Sequence, residues 1–225
     1  ELSNCINDAL LEIPCAAMNG LTPKQRNDAM VEKEDLKKYF VSVPQNNAHV
    51  HKSIAKMYYY CYFALLEFVN NKYHITDKIK EIFKQNSINP SDINDIDRYL
   101  WEHIEVVDEF ISENPYKFTL EELNYVKQFK TVLKQDSFIF IGTDREFAKF
   151  LSDDGKIYMV KGLNSDLDDV LDVSKAPSLI NTHLLMFEGF IIYSSIINTM
   201  NIDLGNHFIL TVVNDLKNAI NYYHF

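Results

Sequence analysis

Four aspartates crowd one seven-residue stretch, Asp166, Asp168, Asp169 and Asp172. Carboxylate oxygens at that density are the ligands that hard divalent cations prefer. The stretch lacks the glycine and terminal glutamate of an EF-hand loop, and Asp at a helix start also caps free amides and favours the helix dipole. Capping is therefore the expected role, with metal binding the weaker candidate. A second set, Trp101-Glu102-His103-Ile104-Glu105 followed by Asp108 and Glu109, puts carboxylates and an imidazole on one predicted helix. Di-iron bundles repeat a Glu-x-x-His pair on two helices. Neither the pair nor its repeat occurs here, so a solvated helix face is expected.

Histidine supplies the remaining candidates. His49 and His51 flank Val50, an alternation that two metal ligands on an extended segment would show, but no third ligand stands near them. His183 opens an apolar run and is the candidate for a catalytic base, against the commoner role of a buried, hydrogen-bonded histidine. Ser194-Ser195 follow that run without a Gly-x-Ser-x-Gly elbow. Tyr58, Tyr59, Tyr60 and Tyr62 look like a stacking platform, yet consecutive helical positions point about 100° apart. They are expected to be core, with one or two phenols reaching the surface or a buried partner. No cofactor-binding motif is present.

The elements that must carry these residues change character along the chain. A helix is predicted over Lys24 to Phe40, with Thr22 as cap and Pro23 at its first position. Ala48 to Asn70 reads as a central helix, apolar on every face, and Thr76 opens a shorter one with Ile79, Ile82 and Phe83 on one side. Ile93, Ile96, Leu100, Ile104, Val107 and Ile111 fall at helical spacing and predict one helix to Ser112. Thr119-Leu-Glu-Glu122 is a capping box, and its helix is predicted to run to about Gln135. Beyond Asp136 the period shifts toward two. A strand is expected over Phe138 to Ile141, and Glu146 to Leu151 should pair with Lys156 to Lys161 across Asp153-Asp154-Gly155. A brief helix is expected over Asp166 to Leu171. Thr182 to Tyr193 reads as a hairpin turning at Glu188-Gly189, and Leu204 to Tyr223 as a final helix. The fold class is therefore α+β: a helical region over 1–135, then a small antiparallel sheet with a C-terminal helix over 136–225.

Composition narrows the function classes. A net charge of −10 opposes non-specific attraction to nucleic acid, and the predicted helix from Lys24 to Lys38 carries Glu32, Glu34 and Asp35 beside its lysines. The uncharged run Met57 to Leu66 is half the length of a membrane span. Cys5, Cys15 and Cys61 cannot all pair and match no zinc spacing, which fits a reducing cytoplasm. A start at Glu1 without methionine is what removal of a tag, a leader or a longer N-terminal portion leaves.

Tyr158, Val160, Gly162, Leu163, Pro177, Leu184, Leu185, Phe187, Gly189, Ile191, Ile192 and Tyr193 carry a resemblance. The span from Phe138 to Gly205 resembles uncharacterised bacterial proteins with a Val-x-Gly-Leu step, a proline and a Leu-Leu-Pro-Phe-x-Gly-x-Ile-Ile-Tyr hairpin. Met186 replaces their proline, Ser194-Ser195 stands where Asp-Gly is more typical, and the cysteine-rich zinc tail of some members is missing. The resemblance implies a C-terminal hairpin and brings no activity with it. The leading functional expectation is a non-enzymatic cytoplasmic binding or regulatory module with a protein partner. The alternative is a metal-independent hydrolase or transferase with a site between the helical part and the sheet.

Overall fold

The aromatic run folds as expected, with a histidine at its head. His51 Nδ1 accepts from the Ser53 amide at 3.3 Å, and helix α1 (Lys52–Tyr73) follows. The computed structural model describes residues 40, 42–85, 88–200, 204–218 and 220–222. The predicted helix over Lys24 to Phe40 lies, apart from Phe40, outside them, as do Cys5 and Cys15. Asn89 caps α2 (Pro90–Glu102), α3 (Val106–Glu113) follows, and α4 (Leu120–Gln128) opens on the complete Thr119/Glu122 capping box. The strands are β1 (Val132–Thr143), β2 (Ala148–Leu151), β3 (Lys156–Val160), β4 (Ser178–Phe187), β5 (Phe190–Tyr193) and β6 (Asn198–Met200), then α5 (Asn206–Asn218) and β7 (Ile220–Tyr222). Their order is β5-β4-β1-β2-β3-β7, with β6 on β4. The fold is α+β, with helices, a largely antiparallel sheet and a C-terminal helix.

The hairpin forms where the turn residues place it. Phe187 pairs with Phe190 and Leu184 with Tyr193, and Glu188 and Gly189 take φ of 51° and 80°. Two positive φ values in a two-residue turn match the right-handed twist of the strands they join.

Several boundaries differ from the sequence pattern, each for a local reason. Residues 74–85 form no helix. The Asn70 side chain accepts from the Thr76 amide and donates to the carbonyls of Thr76 and Ile79, satisfying that backbone in an open path. The helix expected from Ile93 to Ser112 breaks at His103, whose φ of −126° and ψ of 57° end α2 before α3 restarts. Helix α4 stops at Gln128, not Gln135. Thr131 Oγ1 donates to the carbonyls of Gln128 and Met186, and the Met186 amide donates to the Thr131 carbonyl, so the hairpin draws the chain into β1 at Val132. Asp166 to Leu171 makes turns and no helix. The final helix ends at Asn218, and β7 pairs parallel with β3.

Two compact units share the chain. The helix-rich one takes Val50–Gln135 and His183–Ile196. In it Tyr58 stacks on Phe129 and meets Phe187 edge-on, with ring centroids 5.1 and 5.4 Å away. Among the described residues, the sheet-rich unit holds those from Phe40 to His49, Asp136–Thr182, and those from Ile197 to Tyr222. One sheet face there buries Ile139, Ile141, Leu151, Ile157 and Met159 with Phe208, Ile209 and Val212 of α5. The alternate residues Phe138, Phe140, Phe150 and Tyr158 contact one another on the other face and are also buried, as strict alternation requires.

Candidate functional site

In the sheet-rich unit the acidic stretch meets His49. Gly162 allows this: a Cβ there would stand 1.9 Å from the Ser165 carbonyl oxygen, so only glycine lets the chain fold back. The Gly162 amide donates to the Ala48 carbonyl at 3.2 Å, and His49 bridges Gly162 in parallel. His49 Nδ1 then lies 2.6 Å from Asp166 Oδ1, with the two side chains 25% and 12% exposed. A carboxylate only accepts, so Nδ1 carries the proton and Nε2 is left as the basic nitrogen. That is the pairing by which a carboxylate orients a general-base histidine.

The neighbouring aspartates serve the same junction. Asp168 Oδ2 accepts from the Gln45 amide at 2.7 Å, while Gln45 Oε1 accepts from the amides of Leu167 and Asp168. Asp172 accepts from the Ser174 amide and hydroxyl and caps a 3-10 turn, and Asp169 is exposed. Capping and cross-linking thus account for three of the four candidate metal ligands. Among the described residues no group of three or more His, Cys, Asp or Glu is placed to hold a metal ion. His49 and His51 also part company, since His51 turns to Ser53 at the head of α1.

His183 lies in the helix-rich unit. Its ring stacks on Trp101 with centroids 5.2 Å apart, and burial pushes its pKa down to about 4. The imidazole is therefore neutral at physiological pH, with basicity well below what a general base needs. The same indole is bonded to a residue that the apolar spacing of α2 concealed. Asp97 Oδ1 accepts from Tyr62 Oη at 2.6 Å and Trp101 Nε1 at 2.7 Å, and burial raises the carboxyl to about 6 against the pull of those two donors. The signal available in sequence was an aspartate beside the buried Ile96, four residues before the only tryptophan.

The other chemical residues are engaged with neighbours. Lys72 bridges Glu109 and Glu113, Lys130 pairs with Asp108, and His103 lies 3.2 Å from Glu105, so Asp108 and Glu109 of the 101–109 cluster bind lysines from other elements and Glu105 meets its own neighbour. Burial raises the Cys61 thiol to about 12, which leaves it inert as a nucleophile. Tyr58 and Tyr62 are core, while Tyr60 is 37% exposed and stacks on Phe118. A surface groove at the end of α4 is lined by Asn124, Lys127, Gln128, Lys130 and Thr131. Gln128 there is bonded to both the amide and the carboxylate of Glu188. No protein-family model, curated protein or solved structure matches this chain.

Proposed function

We propose that this protein is a non-enzymatic cytoplasmic binding or regulatory module, of the bacterial family with the Leu-Leu-Pro-Phe-type hairpin, acting through a protein partner. One observation carries the reading: the side chains most suited to chemistry are spent on holding elements together. Asp166, Asp168 and Gln45 tie the 45–49 segment to the 162–169 loop, and Asp97 Oδ1 holds Tyr62 and Trp101. The charge of −10 favours a partner with a basic face and makes its association salt-sensitive. No helix among the described residues is long and apolar enough to cross a membrane. The test is affinity capture of partners at low and high salt. A specific partner lost at high salt is the expected result; capture of none, together with turnover in a broad substrate screen, overturns the proposal.

A second reading, a metal-independent hydrolase or transferase, is favoured by the His49–Asp166 pair. In that reading the base is His49, since His183 is held neutral on Trp101. A screen of ester, amide and phosphoester substrates checks it. Any activity found should fall at least about a hundredfold in His49→Gln, a general base contributing about that much or more, and persist in His183→Gln. Equal activity of His49→Gln and the unaltered protein removes this reading.

A further inference from the structure

Among the described residues, the helix-rich unit leaves two large hydrophobic side chains exposed, Tyr60 at 37% and Leu120 at 82%. The chain on either side of Leu120 meets Tyr60. Phe118 stacks on the Tyr60 ring with centroids 5.0 Å apart, and the Glu122 carboxylate lies against its phenol. Phe83 adds a half-buried ring 5.0 Å from Tyr60, and Tyr116 another 4.7 Å from Phe83. Below them the cluster continues from Phe118 to the fully buried Phe110 at 5.5 Å. The surface rings are therefore anchored in a core, and little entropy remains to be lost when a partner covers them. Glu67 holds the far side: Oε1 accepts from the Tyr116 phenol at 2.7 Å and Oε2 from the Phe83 amide at 2.9 Å. Glu122 Oε2 accepts from the Thr119 amide and hydroxyl at 2.7 and 2.9 Å. Both carboxylates keep acceptor sites beyond these bonds. Lys56 lies one turn before Tyr60, and Lys117 sits between Tyr116 and Phe118. Yet no described cation lies over Tyr60, Phe83, Tyr116 or Phe118, while Lys72 covers Phe68 and Tyr73.

Building on the partner-binding reading above, we infer that the face made by Tyr60, Phe83, Tyr116 and Leu120 docks a basic protein segment, with an arginine side chain against the Tyr60 ring and its guanidinium turned to Glu122. Charge and shape select that occupant. A guanidinium is planar, weakly hydrated and forked, so it stacks on a ring and bonds a carboxylate at once, which a lysine ammonium does less well. An acidic segment would meet Glu67 and Glu122 as like charges. An uncharged apolar segment would cover the same carboxylates without a partner for them.

The probe is an end-blocked Gly-Arg-Gly-Arg-Gly peptide, with lysine and citrulline counterparts, titrated onto the full chain at low salt while aromatic NMR resonances are followed. The arginine peptide should shift the Tyr60 and Phe83 ring signals and bind more tightly than the lysine peptide. The neutral citrulline peptide should not bind. Tyr60→Leu keeps an apolar side chain at the surface but removes the ring, and Glu122→Gln keeps the capping box but removes the charge. Each should weaken arginine-peptide binding about threefold or more, the size of one exposed cation–π contact. Leu210→Ala, an exposed position in the sheet-rich unit, should bind as the parent does. If Tyr60→Leu melts well below the parent, Glu122→Gln decides alone. Equal binding of the citrulline peptide, unmoved Tyr60 and Phe83 signals, or unchanged binding by a folded variant overturns the inference. Affinity capture separates this face from the wider reading. A salt-sensitive partner retained equally by Tyr60→Leu and Glu122→Gln would keep the binding module and overturn its placement on these rings.

Discussion

Asp97 and His183 are neighbours of one indole, and burial moves their proton affinities in opposite senses. Asp97 is raised from 3.8 to about 6. Between those values the unfolded chain has released the proton and the folded chain still holds it, so stability falls as pH rises through that window. The cost above about pH 6 is about 3 kcal/mol. His183 is lowered from 6.5 to about 4. In its window the unfolded chain is protonated first, so stability falls as pH drops. The two slopes oppose each other between about pH 4 and 6, and the protein's stability should be nearly flat there as far as these groups decide it. Asp97→Asn separates them. The amide retains an oxygen for Tyr62 and Trp101 but removes the buried charge. Melting curves should show the variant several degrees more stable than the parent at about pH 8, with the advantage gone by about pH 4. A variant equally stabilised at both pH values would place the effect in packing, not in charge.

At the scale of elements, the junction of 45–49 with 162–169 depends on one missing side chain. Gly162→Ala drives a Cβ into backbone, the Ser165 carbonyl, and the segment bearing Asp166 must move. The expected loss is about 1–3 kcal/mol, the usual cost of overpacking, together with a changed His49 imidazole resonance as the Asp166 bond opens. Gly205→Ala, with nothing within 4 Å of the added carbon, is the matched control and should stay near the parent in both readouts. This junction also shows where sequence patterns stop being informative. The hairpin was legible because Glu188-Gly189 and the apolar arms on either side are local signals, and the Thr119 capping box was legible for the same reason. His49 and Asp166 are 117 residues apart, and nothing near either of them announces the other. The open path of 74–85 was concealed likewise, since Ile79, Ile82 and Phe83 have helical spacing while Asn70 and Glu67 supply the hydrogen bonds that replace a helix. Val132 to Gln135 carried the apolar spacing of α4, but Met186 claims Thr131 and begins a strand there.

For the whole molecule, chain order and compactness part ways. The chain passes between its two units at 49/50, 135/136, 182/183 and 196/197, so neither is one continuous segment. The helix-rich unit owes much of its interior to the hairpin supplied from 183–196. Phe187 contacts Tyr58, Tyr125 and Phe129, and His183 covers Trp101. Residues 50–135 alone would expose those aromatic faces and lose the bonds from Thr131 and Gln128 to the hairpin. Most helical stability in proteins comes from such packing, not from propensity. A fragment of 50–135 should therefore show weak helical circular dichroism and no cooperative melt. The same fragment joined by a short linker to 183–196 should recover both. A cooperative transition in the shorter fragment would mean that α1 to α4 bury enough surface among themselves, and that the hairpin closes a unit already stable without it.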